Sequence, residues 1–245
     1  MSDTRYEIKH GDCLNVLKDM DDASVQCCIT SPPYWGLRDY GEDKQLGLEK
    51  TPEEYTENMV VVFREVRRVL RDDGTLWLNL GDTYNAKQLV GIPWRVALAL
   101  QADGWYLRQD IIWHKTNPMP ESVTDRCTRA HEYIFLLSKS PNYYFDCDAI
   151  KEPSTGQQGA AASFKRKTKE HRIPNQSVTQ HRLERTDRTD SGYRNRRSVW
   201  SVGTKTYKGA HFATFPPDLI EPCILSGCPI DGSVLDPFAG SGTTL

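Results

Sequence analysis

Ser31-Pro32-Pro33-Tyr34 places a hydroxyl, two prolines and an aromatic ring on four consecutive residues. The Ser31 hydroxyl can accept one N–H. A backbone carbonyl of the Pro32-Pro33 pair can accept another, its direction set because proline locks φ. Tyr34 offers a ring face on which a planar heterocycle can stack, worth ~1–3 kcal/mol for a nucleobase. Such a set can hold an amino group whose lone pair is delocalised into its ring and favour the pyramidal form that reacts. Near the other end, residues 234–244 read Val-Leu-Asp-Pro-Phe-Ala-Gly-Ser-Gly-Thr-Thr. Gly240 and Gly242 let the backbone pass close to a ligand. Asp236 can receive an ammonium group, and Phe238 can border an apolar part. The GxxxxGK[ST] phosphate loop is missing.

Both loops need rigid elements behind them. Val25–Thr30 is a short, mostly apolar run stopped by Ser-Pro-Pro, the pattern of a buried strand opening into a loop. Thr51-Pro52-Glu53-Glu54 forms a capping box with proline at the first helical position. Tyr55, Met59, Val62, Phe63, Val66, Val69 and Leu70 then follow helical spacing, and Asp72-Asp73-Gly74 predicts the helix end. Strands are predicted over 5–12, 75–80, 106–113, 132–137 and 233–236. Ile92–Ala102 reads as a second amphipathic helix, and another runs from near Pro216 to Gly227. The alternation predicts a parallel-rich α/β sheet with helices on both faces, whose ligands bind beyond the strands' carboxyl ends.

The character changes after Asp148. Residues 156–163 are rich in Gly, Gln and Ala, and 165–197 are basic, polar and nearly free of aliphatic residues. Order is expected to return at Val199-Trp200-Ser201-Val202. Although the net charge is -2, residues 151–210 hold 14 Lys and Arg against 5 Asp and Glu. A basic segment on an acidic body suits a polyanion held at one place; a solvated charge run explains the segment equally on charge alone. The mean hydropathy of -0.60 reflects this polar stretch. No apolar run approaches the ~18 residues that span a bilayer, and the N-terminus lacks a signal-peptide core. Seven cysteines with no CxxC pair point to reduced thiols in a cytosolic protein, with no zinc site or disulfide framework.

With Trp35-Gly36-Leu37-Arg38-Asp39-Tyr40 behind it, the Ser-Pro-Pro-Tyr stretch resembles the catalytic loop of DNA amino-methyltransferases. Residues 234–244 resemble the S-adenosylmethionine loop of the same enzymes. A catalytic loop that precedes the cofactor loop resembles their circularly permuted beta class. The resemblance implies a Rossmann-like, circularly permuted α/β methyltransferase fold that takes double-stranded DNA and flips the target base out of the stack. Ser31, Pro32, Pro33 and Tyr34 would be catalytic. Asp236, Phe238, Gly240, Gly242 and Thr243 would hold the cofactor. His211-Phe212-Ala213-Thr214-Phe215-Pro216 resembles the segment packed over the methionine end, which adds Phe215 and Pro216. Gly11-Asp12-Cys13-Leu14 resembles the turn facing the adenine, which adds Asp12 and Cys13, although a helix cap explains Asp12 as well.

Trp113-His114-Lys115-Thr116-Asn117-Pro118 resembles the loop beside the target pocket. Lys115 and Asn117, with Trp35, are therefore candidate DNA contacts. Arg166, Arg194, Arg196 and Arg197 suit phosphates and guanine edges. The expected organisation is a catalytic half at 1–150, a recognition insert at 151–210 and the start of the cofactor half at 211–245. In the family a helix and a strand with an acidic ribose ligand follow the cofactor loop. The sequence stops at Leu245, so an incomplete C-terminus, weak cofactor binding and little or no methylation by this chain alone are expected. Ser-Pro-Pro-Tyr is the form more typical of action on N4 of cytosine; N6 of adenine is the alternative, and a non-catalytic DNA-binding protein of the same fold is another. The resemblance also admits a cognate restriction endonuclease as companion.

Overall fold

The computed structural model describes residues 6–39, 41, 45–154, 192–205 and 215–245. The chain forms two compact units. One comprises Met1–Ile150 with Arg197–Leu245, the other Lys151–Arg196. In the first, Asp12 caps a short helix α1 (Cys13–Lys18) by accepting from the Asn15 amide at 3.0 Å. Strand β1 (Val25–Thr30) leads into the Ser-Pro-Pro-Tyr loop. Helix α2 (Pro52–Val69) starts where Thr51 accepts from the Glu54 amide. The Glu54 carboxylate returns to the Lys50 amide at 3.0 Å. Then come β2 (Leu70–Leu80), a small ribbon of β3 (Tyr84–Asn85) and β4 (Gln88–Leu89), and α3 (Ile92–Ala102). Strands β5 (Tyr106–His114) and β6 (His131–Ser138) follow. The second unit holds β7 (Glu152–Pro153) paired with β8 (Tyr193–Arg194). The first unit resumes with β9 (Val199–Ser201), α4 (Pro217–Gly227) and β10 (Val234–Leu235).

The main sheet runs β10-β1-β2-β6-β5-β9. Its side chains alternate between two cores, as a period of two requires. Cys28, Leu76, Leu78, Leu80, Phe135 and Leu137 face the helices α1 to α3. Cys27, Ile29, Trp77, Ile134 and Leu136 face α4 and Trp200. Helix α2 buries Tyr55, Met59, Val62, Phe63, Val66 and Val69, each worth ~1.5–3 kcal/mol relative to exposure. Adjacent Cys27 and Cys28 are both fully buried, one on each side of the sheet. Among the described residues no helix is long and apolar enough to cross a membrane.

Four expectations change. Residues 6–12 form no strand, and Tyr6 and Ile8 stand 67% and 71% exposed. The sheet is mixed: β2–β6 and β5–β6 pair antiparallel, while β10–β1, β1–β2 and β5–β9 are parallel. Helix α2 ends at Val69, before Asp72-Asp73-Gly74. Those residues lie in a bulge, because Val25 pairs Leu70 while Cys27 already pairs Thr75. Finally, β9 belongs to the main sheet and not to the basic segment, since Val199, Trp200 and Ser201 pair with β5. Arg166 and His211 lie outside the described residues.

Candidate active site

Strands β1 and β10 are parallel neighbours, with Cys28 opposite Leu235, so both chemistry-bearing loops leave the sheet side by side. Thr30, fully buried, donates to Asp236 Oδ1 at 2.6 Å. This bond joins residues 206 positions apart in sequence. Asp236 Oδ1 also accepts from the Phe238 amide at 3.1 Å, and Oδ2 from the Thr244 hydroxyl at 2.7 Å. Burial pushes the Asp236 carboxyl up from its ordinary value, against these hydrogen bonds, which hold it down. Asp236 is thus a partly buried carboxylate held by three neutral donors. The following loop turns through Gly240 and Gly242, both at positive φ (53° and 77°), where only glycine is unstrained. The Gly242 amide closes a turn onto the Ala239 carbonyl, and Ser241 and Thr243 join hydroxyls.

A raised carboxyl pKa in the folded state means that the folded chain takes up more protons there than the unfolded chain. The resulting stabilisation is full below the ordinary value of 3.8 and is lost as pH rises through the raised one. Asp236→Asn removes that dependence. The difference in denaturation midpoint between variant and unaltered chain should move in the variant's favour as pH rises from below 3.8 to neutrality. A difference that does not vary with pH contradicts this account of Asp236.

At the end of β1 the Pro33 carbonyl accepts from the buried Tyr55 hydroxyl at 2.9 Å. This takes up one of the two lone pairs of the Pro33 carbonyl. The Ser31 hydroxyl donates to the Tyr34 oxygen at 3.2 Å. Tyr34 in turn donates to Glu132 Oε2 at 2.7 Å. Asn79, 6% exposed on β2, sends Nδ2 to Tyr34, Glu132 and Ser31 at 2.8, 3.2 and 3.4 Å. Lys115 pairs with Glu132 and lies 4.8 Å from the centre of the Trp113 ring. Burial, and then the charge of Glu132, hold the Tyr34 phenol well above its ordinary value, so it stays neutral. Tyr34, Gly81, Lys115, Arg129 and Glu132 line a cleft of about 340 Å³.

Trp35 is corrected from DNA contact to core. It is 8% exposed among the residues beneath α2, and its indole donates to the Glu49 carbonyl at 2.9 Å. Asn117 spends both ends of its amide on the Thr204 backbone, at 2.7 and 3.1 Å, so it latches the loop after β5 to the chain after β9. Asp12 caps α1. The Cys13 thiol, beside it, is pushed up to about 11 by burial first and the Asp12 charge second. Cys13 and Phe238 pack on the α1–α3 side of the sheet and Phe215 on the α4 side, where Pro216 caps α4. Arg194 pairs with Glu152 at 2.7 Å within the second unit. Arg196 ends that unit, and Arg197 begins the returning chain, its backbone carbonyl accepting from the Trp200 indole. His114 bonds Ser201 and His131 bonds Tyr133. Among the described residues no cluster of His, Cys, Asp or Glu is placed to hold a metal ion.

Asn79, Gly81 and Glu132 were not singled out from the sequence. Their signal was faint: a polar residue inside the apolar run at 76–80, a glycine after it, and one charge at the start of 132–137.

A mixed α/β sheet with a Ser-Pro-Pro-Tyr loop and a glycine-rich acidic loop at adjacent strand ends defines the class. The chain belongs to the N6/N4 DNA methylase family, whose model matches residues 25–245. It is 44% identical to the type II methyltransferase M.Cfr9I of Citrobacter freundii, over 95% of this chain and 76% of that protein. It is 43% identical to M.SmaI of Serratia marcescens, over 96% of this chain and 79% of that one. Among solved structures it resembles the PvuII DNA methyltransferase (cytosine-N4-specific), with TM-score 0.67 and 19% identity, over 96% of this chain and 74% of that one. It also resembles a putative DNA modification methylase of Thermus thermophilus complexed with S-adenosyl-L-methionine. There the TM-score is 0.57 and the identity 26%, over 96% of this chain and 79% of that one.

Proposed function

We propose that this chain transfers a methyl group from S-adenosylmethionine to the exocyclic N4 of a cytosine flipped out of double-stranded DNA. The observation that carries the reading is the Thr30–Asp236 hydrogen bond, which holds the amine-binding loop and the glycine loop together at the ends of β1 and β10. When bound, the cofactor would supply an electrophilic methyl group on a sulfonium sulfur for the amine lone pair. Asp236 would receive its ammonium, with Phe238, Gly240, Gly242, Thr243, Phe215, Pro216, Asp12 and Cys13 as further contacts. Ser31 Oγ and a backbone carbonyl of the Pro32-Pro33 pair would accept the two amine hydrogens, and the Tyr34 ring would stack on the base. The order of the two loops along the chain supports the circularly permuted form of the fold. Serine at the head of the tetrapeptide supports cytosine. Relatives named as type II methyltransferases support a role beside a restriction endonuclease.

Mass analysis of nucleosides from DNA exposed to the chain, as it stands and with its C-terminus completed, tests this reading. N4-methylcytosine is expected from the completed form; N6-methyladenine would move the target to adenine, and no methylated base from either would leave a DNA-binding protein of this fold.

The basic residues of 151–210, among them Arg166, Arg194, Arg196 and Arg197, are proposed to meet DNA phosphates. Each phosphate neutralised releases condensed counterions, so affinity falls steeply with salt. Deleting residues 165–197 should flatten the slope of log affinity against log salt, measured by fluorescence anisotropy. An unchanged slope would place the phosphate contacts elsewhere.

A further inference from the structure

One carboxylate in the cleft has no part in holding the base or the cofactor. Glu132 has a side chain only 13% exposed, yet it accepts at both oxygens: Tyr34 and Asn79 at Oε2, Lys115 at Oε1. The hydrogen bonds leading to it run in one direction. Asn79 Nδ2, with two hydrogens to give, faces the Tyr34 oxygen at 2.8 Å, Glu132 Oε2 at 3.2 Å and the Ser31 oxygen at 3.4 Å. The Ser31 hydroxyl donates to Tyr34, and the Tyr34 hydroxyl to Glu132.

We propose that Glu132 is the terminal acceptor of the proton that the target amine must lose, reached through Ser31 and Tyr34. The proposal rests on the reading that Ser31-Pro32-Pro33-Tyr34 holds that amine. After methyl transfer the nitrogen carries one proton too many. That proton passes to Ser31 Oγ as the Ser31 proton passes to the Tyr34 oxygen and the Tyr34 proton to Glu132 Oε2. One N–H bond breaks, one O–H bond breaks and re-forms at each hydroxyl, and one O–H bond forms on the carboxylate. The product is a neutral methylated amine beside a neutral carboxylic acid, with no further reactant. Glu132 thus acts through other side chains and is a positioning and relay residue. The groups facing it are Tyr34 from the loop after β1, Asn79 from β2 and Lys115 from the end of β5. Arg129, His131, Asp82 and Glu121 line the same cleft, Asp82 accepting from the Ile92 amide and Glu121 pairing with Arg126.

The test is Glu132→Gln in the full chain with its C-terminus completed, which keeps the shape and removes the acceptor. Single-turnover methylation should slow by ~10²–10⁴-fold, the usual span for positioned acid–base groups. KM and duplex affinity should stay within about threefold, and the acid limb of the kcat–pH profile should disappear. Tyr34→Phe, which keeps the ring and breaks the chain one link earlier, should lose the same limb. A Gln variant with unaltered kcat, or one losing kcat and duplex affinity together with the limb retained, overturns the proposal. A second readout needs no turnover: the Tyr34 Cζ resonance in ¹³C-tyrosine-labelled protein should move in Glu132→Gln, and an unmoved resonance removes the Tyr34–Glu132 link. Absence of methylated base with the otherwise unaltered, completed chain would instead defeat the functional reading itself, while the resonance still reports on the link.

Discussion

Gly81→Ala should cut the methylation rate by about 100-fold while leaving the fold intact. Gly81 follows β2 and lies against the Tyr34 ring. A β-carbon there would sit 2.6 Å from Tyr34 Cε2, 3.0 Å from Cδ2 and 3.4 Å from the Glu132 carboxyl carbon. Carbon atoms settle at ~3.5–4.0 Å, so the ring must retreat by about 1 Å. It cannot do so and keep its bonds of 2.7 Å to Glu132 and 2.8 Å to Asn79. Misplacement on that scale costs ~10²-fold in well-oriented reactions. The position lies at the strand's end, where the cleft leaves room for the ring to swing, so little stability should be lost. The measurement is single-turnover methylation by the chain with its C-terminus completed, beside a thermal melt of the same sample. A rate within a few-fold of the unaltered chain would show that the Tyr34 position does not govern turnover.

Gly227→Ala should act on stability instead. Gly227 ends α4, where the helix comes down onto the sheet. An added β-carbon would meet Trp77 Nε1 at 2.4 Å, Thr75 Oγ1 at 2.8 Å and Cys27 Sγ at 3.2 Å. All three residues are buried, at 1%, 0% and 0% exposure. None is the free end of a flexible chain, and Thr75 already donates to the Gly227 carbonyl and accepts from the Trp77 indole. Alanine brings ~1 kcal/mol of helix propensity, but overpacking a filled core costs ~1–3 kcal/mol and more when buried hydrogen bonds break. The clash should win, with a net loss of about 2 kcal/mol in urea denaturation. Equal or higher stability would mean that α4 lifts off the sheet without cost.

The elements that position the site were legible where a local pattern is enough. β1 and α3 fall on the predicted residues, Val25–Thr30 and Ile92–Ala102, because an apolar run stopped by Ser-Pro-Pro and an amphipathic repeat are local signals. The two chemistry-bearing loops were legible for the same reason. What stayed hidden depends on pairing. An alternating strand does not state its partner's direction, so the antiparallel placing of β6 between β2 and β5 could not be read. Nor could Glu132, which reaches Tyr34 only because β6 lies beside β2 in the register Leu80–Tyr133. Trp35 misled because an aromatic beside a binding loop resembles a stacking platform, whereas a distant carbonyl, that of Glu49, draws its indole into the core.

The adjacent thiols of β1 have a use apart from the site. Burial pushes Cys27 up to about 12 and Cys28 well above its ordinary value. Alkylating reagents attack the thiolate, so neither sulfur reacts while the central sheet is closed. Cys127 and Cys147 are exposed and free to be consumed first. Half-buried Cys13 and Cys228 follow, and Cys223 is buried on α4. Slow labelling followed at Cys27 and Cys28 by peptide mass mapping therefore times the opening of the sheet between its two cores, in the native protein, without an introduced probe.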